Sequence, residues 1–141
     1  MESVKEDDIL ELDEMWSFVG SKDNPLWLWI ALCRRTRQIV SYFIGDRGFW
    51  SCFHLYMNIP LEYRKCKSFS DFWECYEYIF DNHESVGKDS GETCHVERWN
   101  NTIRQRLARF TRKSLSFSKL KEIHQIVTHI FIVNYNLSVS I

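Results

Sequence analysis

The sequence is poor in residues that break a chain or bridge it covalently. Two prolines and five glycines in 141 residues leave little room for a low-complexity linker. The five cysteines (Cys33, Cys52, Cys66, Cys75, Cys94) are odd in number, scattered, and form no Cys-x-x-Cys pair. That pattern argues against a disulfide framework or a zinc ribbon and fits reduced cytoplasmic thiols. The histidines lack paired metal spacing, and Gly87-Lys-Asp-Ser-Gly91 has the wrong residue order for a phosphate-binding P-loop. No apolar run is long enough to cross a bilayer, and the first 14 residues are acidic rather than apolar, unlike an export signal. Net charge is nearly absent as well: 18 basic residues stand against 19 acidic ones, for a formal charge of -1. A simple polycation that coats nucleic acid is excluded by that balance.

What is present is a core. Apolar residues make up 45 % of the chain and aromatics 16 %, enough to bury one full domain. Residues 1–8 read as a polar lead-in, and residues 9–141 as a single domain. Three runs rich in β-branched and aromatic residues follow the lead-in, at 9–19, 26–33 and 38–44. Gly20–Pro25 and Arg34–Arg37 are the turns between them, so an antiparallel meander is expected. The pattern then alternates. It predicts a helix over 49–57, a fourth strand over 63–69, a helix over 71–80, and a loop containing Gly87 and Gly91. A long helix is expected from about 92 to 113, because Val96, Trp99, Ile103, Leu107 and Phe110 recur every three or four residues. A last helix is expected over 118–135. Strands first and alternation afterwards indicate an α/β or α+β domain.

Three carboxylates stand out. Asp13 lies inside the first strand run, where a short acid is disfavoured. It is either solvated on an edge strand or held by a partner, a cation or a metal. Asp71 sits where a strand gives way to a helix. With Glu74 three residues on, it fits a helix N-cap, and a carboxylate at a strand end also faces a cleft. Glu97 shares nearly one helix face with Asn100, Asn101 and Arg104. That face reads either as an ordinary solvated surface or as one that holds a metal and a phosphate.

The neutral total hides a division. From Arg98 to Lys121 there are eight basic residues (Arg98, Arg104, Arg106, Arg109, Arg112, Lys113, Lys119, Lys121) and no acid. From Glu2 to Glu14 there are seven acids against one lysine. Cations that hold a nucleic-acid backbone beside carboxylates that hold divalent metal are what phosphodiester chemistry requires. Ser114, Ser116 and Ser118 add hydroxyls able to meet phosphates.

Taken in order, several segments resemble the transposase catalytic domain of the insertion sequence 1 family. They are Leu12-Asp-Glu-Met-Trp-Ser-Phe-Val-Gly20, Trp27-Leu-Trp-Ile-Ala31, Thr36-Arg-Gln-Ile-Val40, Gly45-Asp-Arg47, Ser68-Phe-Ser-Asp-Phe-Trp73 and His95-Val-Glu-Arg-Trp-Asn-Asn101. Arg104-Gln-Arg-Leu-Ala-Arg109, Arg112-Lys113 and Ser116-Phe-Ser-Lys119 resemble its basic tail. The resemblance implies a ribonuclease-H-like fold of the DDE type, with Asp13, Asp71 and Glu97 as catalytic and metal-binding acids. Asp71 and Glu97 are separated by 25 residues, and Arg104 follows Glu97 by seven, both in keeping with that family. It further implies Mg²⁺ or Mn²⁺, two ions, cleaving and joining DNA at element ends. DNA would be held by Arg98, Asn101, Arg104, Arg106, Arg109, Arg112, Lys113 and Lys119. The expected partners are DNA, an upstream zinc and helix-turn-helix recognition segment, and further copies of the chain; the expected location is the cytoplasm, at the nucleoid. The alternative is a non-catalytic fragment that binds DNA or docks a recognition subunit.

Overall fold

The structure, a computed structural model, describes residues 3–18, 25–113 and 121–139. Strands β1 (Ile9–Phe18), β2 (Pro25–Cys33) and β3 (Ile39–Gly45) come first, then helix α1 (Phe49–Asn58). After a 3₁₀ turn at Leu61–Tyr63 come β4 (Lys67–Ser70), α2 (Cys75–Ile79) and β5 (His83–Ser85). A second 3₁₀ turn, Lys88–Ser90, leads to α3 (Cys94–Lys113) and α4 (Lys121–Val139). The strands form one sheet in the order β3-β2-β1-β4-β5. The β1, β2 and β3 meander is antiparallel, whereas β4 joins β1 in parallel and β5 joins β4 in parallel. No helix among the described residues is long and apolar enough to cross a membrane.

Side-chain alternation along β1 assigns its residues to the two faces of the sheet. Leu10 and Leu12 pack with Trp29, Cys52, Leu55 and Tyr76 in a core under α1 and α2. Met15 packs with Leu28, Ile30, Val96, Trp99, Ile103 and Ile132 under α3 and α4. The sheet therefore lies between two helical layers, with β1 in its middle.

Glu11 fixes α3 to that middle strand. Its side chain is fully buried, and Oε1 accepts the backbone N–H groups of His95 and Val96 at 2.9 and 3.1 Å. Those are first-turn amides that have no partner within a helix. A carboxylate 84 residues away thus caps α3 and sits at the positive end of its dipole. Arg34 donates to Glu11 Oε2 at 2.9 Å, and the His95 ring meets the same oxygen at 2.6 Å. Arg34 also reaches Glu92, just before the helix.

The three meander strands and α1 fall within a residue or two of the sequence expectation, and the long helix is where its stripe predicts. Four expectations change. The fourth strand begins at Lys67, because residues 61–63 form a 3₁₀ turn. The helix expected over 71–80 shortens to Cys75–Ile79, with Glu74 at its N-cap position and no side-chain cap. Asp71 is therefore not an N-cap; its Oδ1 accepts the Trp73 N–H at 3.3 Å in the turn after β4. The loop expected before Gly87 contains β5. Trp27 is half-buried and packs against the core of Leu10, Leu12 and Trp29. The Gly20–Asn24 turn, the serines at 114–118 and Lys119 lie outside the described residues, as do the side chains of Leu107 and Phe110.

Side chains finish both margins of the sheet. At the β5 margin, the His83 ring bridges Ser68 and Ser70, each at 2.8 Å. Ser70 gives its proton to the Asp71 carbonyl, so the ring donates to Ser70 and accepts from Ser68. That is the neutral tautomer, and burial lowers the His83 pKa to about 4. At the β3 margin, the Asn136 amide of α4 pairs with the backbone of Ile39, accepting its N–H at 2.7 Å and donating to its carbonyl at 2.9 Å.

Glu11→Ala is expected to destabilise the protein by about 3 kcal/mol, because it leaves two helix amides without an acceptor in the interior and takes from Arg34 one of its two carboxylate partners. Glu11→Gln keeps an acceptor for those amides and should cost clearly less. Urea unfolding followed by circular dichroism measures both.

Candidate active site

Asp13 and Asp71 meet because β1 and β4 run in parallel. Their ladder ends at Glu11 opposite Phe69, and the same register two residues further sets Asp13 beside Asp71. Glu14, next along β1, completes a group whose ligand oxygens all lie within 4.8 Å of one another. Among the described residues, this is the one such group of three or more acids, histidines or cysteines. The edge-strand reading of Asp13 does not hold, since β1 is central and the carboxylate is partnered.

The two neighbouring acids of β1 have opposite surroundings because they leave opposite faces of the sheet. Asp13 turns toward α3, where Asn100 Nδ2 donates to its Oδ2 at 2.7 Å. Its Oδ1 accepts the Glu14 N–H at 2.9 Å. Among the described residues no cation bonds it, and burial with the nearby charges of Glu14, Asp71 and Glu97 pushes its pKa up to about 7. Glu14 turns toward α2. Tyr76 donates to its Oε2 at 2.5 Å, and Arg47 bonds its Oε1 at 3.0 Å. Burial raises the Glu14 pKa against the opposing pull of Tyr76 and Arg47. The Arg47 guanidinium is held between the Trp27 and Trp73 rings, 4.7 and 4.2 Å from their centroids. Glu14 is thus already compensated, and Asp13 is not.

Glu97 lies outside the 4.8 Å group. It stands in the first turn of α3, half-buried, with Thr93 donating to its carboxylate at 3.2 Å. Its charge nonetheless raises the Asp13 pKa. The helix face expected to carry Glu97, Asn100, Asn101 and Arg104 together divides. Asn100 is buried and turned to Asp13, whereas Asn101 and Arg104 are exposed. Arg98 and Arg106 are exposed too, and the Arg106 guanidinium lies 5.5 Å from the Phe131 ring centroid. Arg109, Arg112 and Lys113 belong to α3, but their side chains lie outside the described residues. Glu14, Arg47 and Tyr76 were not singled out from the sequence as site residues. Glu14 adjoins Asp13 in sequence, but nothing in the spacing tells that Arg47 and Tyr76 converge on it.

Residues 9–137 match the IS1 transposase family. The chain is 39 % identical over 126 residues to the insertion element iso-IS1n protein InsB of Shigella dysenteriae, covering 88 % of this chain and 93 % of that protein. It is 35 % identical over 114 residues to the insertion element IS1 protein InsB of Shigella flexneri, covering 81 % and 86 %. The insertion element IS1 4 protein InsB of Escherichia coli K12 is also 35 % identical over 114 residues, covering 81 % and 67 %. No solved structure matches the chain.

Asp13→Asn should stabilise the metal-free protein at neutral pH by on the order of 1 kcal/mol, a few degrees in Tm. Asp13 binds a proton in the fold below about pH 7 but in the unfolded chain only below about pH 4. The folded protein then holds more protons in that window, so the aspartate lowers stability as pH rises through it. The advantage of Asn is therefore absent below pH 4 and complete above pH 7. His83 titrates with the opposite slope in both proteins, so the difference in Tm between them isolates Asp13.

Proposed function

This chain belongs to the IS1 transposase family, and we propose that it is that family's metal-dependent catalytic domain, with a ribonuclease-H-like fold. The observation that carries the reading is the juxtaposition of Asp13, in the middle of β1, with Asp71, just past the end of the parallel strand β4, and with Glu97 on α3 near Asp13. The order β3-β2-β1-β4-β5, an antiparallel meander continued by parallel strands, supports the fold assignment.

The donor set fits a hard divalent cation. The clustered ligand atoms are carboxylate oxygens, with no thiolate or imidazole among them, which favours Mg²⁺ or Mn²⁺ over zinc. Asp13 and Asp71 would hold the metal, and Glu97 would complete the set from α3. When bound, two such ions would activate the attacking oxygen and steady the leaving one in an in-line displacement. Asp13 is suited to this role because no cation among the described residues neutralises it. Glu14, tied to Arg47 and Tyr76, would shape the wall beneath it. The exposed Arg98, Asn101, Arg104 and Arg106 would lay DNA phosphates along α3, continued by Arg109, Arg112, Lys113 and Lys119. A helix of 20 residues extends about 30 Å, so one end lies at the acids while the other reaches along the duplex. Element-end recognition would come from a zinc and helix-turn-helix partner segment, with several copies of the chain acting together on two ends.

Cleavage of element-end DNA with Mg²⁺ or Mn²⁺ tests the chemistry. Glu97→Gln and Asp71→Asn should both fall to background while still binding DNA. Activity equal to wild type in Glu97→Gln removes that residue from the mechanism; no metal-dependent cleavage by the wild type favours the DNA-binding fragment instead. For the basic helix, Arg106→Ala combined with Arg109→Ala should lower the slope of log K against log salt by about 2. Fluorescence anisotropy across a salt series measures it, and an unchanged slope counts against the role.

A further inference from the structure

Asn100 makes one bond to the acidic site and leaves another unmade. Its side chain is 5 % exposed, a depth at which amide groups are nearly always satisfied. Nδ2 donates to Asp13 Oδ2 at 2.7 Å. As a metal ligand Asp13 is ionised and only accepts, so the amide then has to present its NH₂ there. That orientation leaves Oδ1 buried without a hydrogen-bond partner among the described residues. Leaving an acceptor so costs the full desolvation of the group. The orphan oxygen stands on the same side chain that grips Asp13, an acid bonded by amides and, among the described residues, by no cation. What is missing there is a donor, and water on a divalent cation is a strong one.

We propose that Asn100 is a positioning residue of the acidic site, whose amide holds Asp13 toward a divalent cation and whose Oδ1 accepts a hydrogen bond from water on that cation. The proposal rests on the metal-site reading above. It assigns a task to the residue three positions after Glu97, one helical turn on, so that Glu97 and Asn100 would approach the same ion from α3, one directly and one through Asp13 and water. Groups of this kind typically change metal affinity by tenfold or more when removed.

The test is Mn²⁺ binding by titration calorimetry and by the loss of its free electron-spin resonance signal, with the full chain and no DNA. Wild type, Asn100→Leu, Asn100→Ser and Asp13→Asn are compared, and the Tm of each metal-free protein is measured in parallel. Asn100→Leu is close in shape and removes both the orphan acceptor and the donor. Its metal-free Tm should hold or rise, while its Mn²⁺ affinity falls about tenfold. A merely structural Asn100 would give the reverse, a lower Tm with unchanged Mn²⁺ affinity, and that result overturns the proposal. Should Asn100→Leu fail to fold, Asn100→Ser is read in its place and should bind Mn²⁺ more weakly than wild type. Asp13→Asn reports on the underlying reading. Mn²⁺ binding lost in Asp13→Asn but intact in both Asn100 variants refutes the role of Asn100 alone. No binding by the wild type refutes the metal site and the proposal together.

Discussion

The placement of α3 depends on one buried carboxylate. Glu11 lies on the central strand and accepts the first-turn amides of α3, so the helix is fixed in rotation and in height above the sheet. Met15, Val96, Trp99 and Ile103 supply apolar contact, but apolar contact is non-directional and tolerates sliding. Hydrogen bonds to two successive amides do not. With that end pinned, the next turn sets Asn100 over Asp13, two residues along β1 from Glu11 and on the same face of the strand. A strand repeat of two residues and a helical turn of nearly four are thereby matched at one point, and the site is built from the match.

Asp13 and Glu14 show how pleating sorts chemistry. The two acids are adjacent in the chain, yet one meets an amide and the other a phenol and a guanidinium. Consecutive positions on a strand give two carboxylates within 4.8 Å of each other, one compensated by Arg47 and Tyr76 and the other bonded by amides alone among the described residues. The unbalanced charge is confined to the α3 side, where the exposed arginines also lie. A repulsive site of this kind lowers the stability of the metal-free fold, a cost commonly found where pKa values are perturbed for function.

Much of this was legible in the sequence because its signals were periodic. Runs rich in β-branched and aromatic residues between turn signals marked the meander, and the three-four stripe from Val96 to Ile103 marked α3 with its buried side. The acids Asp13, Asp71 and Glu97 drew notice as carboxylates in positions with a physical cost or a neighbouring cation run. Short elements were not legible. β5 has three residues, His83-Glu-Ser, none of them apolar, and it is held by backbone pairing to β4 and by the His83 ring bonding Ser68 and Ser70. Asp71 and Glu74 have the spacing of a capping box, but the chain first uses Asp71 to turn toward Trp73, and the helix starts later. Convergence across the sheet was equally hidden. Tyr76 stands 62 residues from Glu14, Arg47 stands 33, and nothing local encodes either distance.

The Asn136 amide at the β3 margin has a consequence for how copies of this protein meet. An outermost strand with free ladder groups is a template on which another chain extends the sheet, in any number and without symmetry. Here a side chain from the last helix imitates the next strand at Ile39, taking its N–H and giving to its carbonyl. At the opposite margin the final strand is only three residues long, too short to guide a neighbour. Growth by strand addition is discouraged on both sides. A sheet with its margins closed in this way is kept from the open-ended growth that turns contact between copies into a fibre.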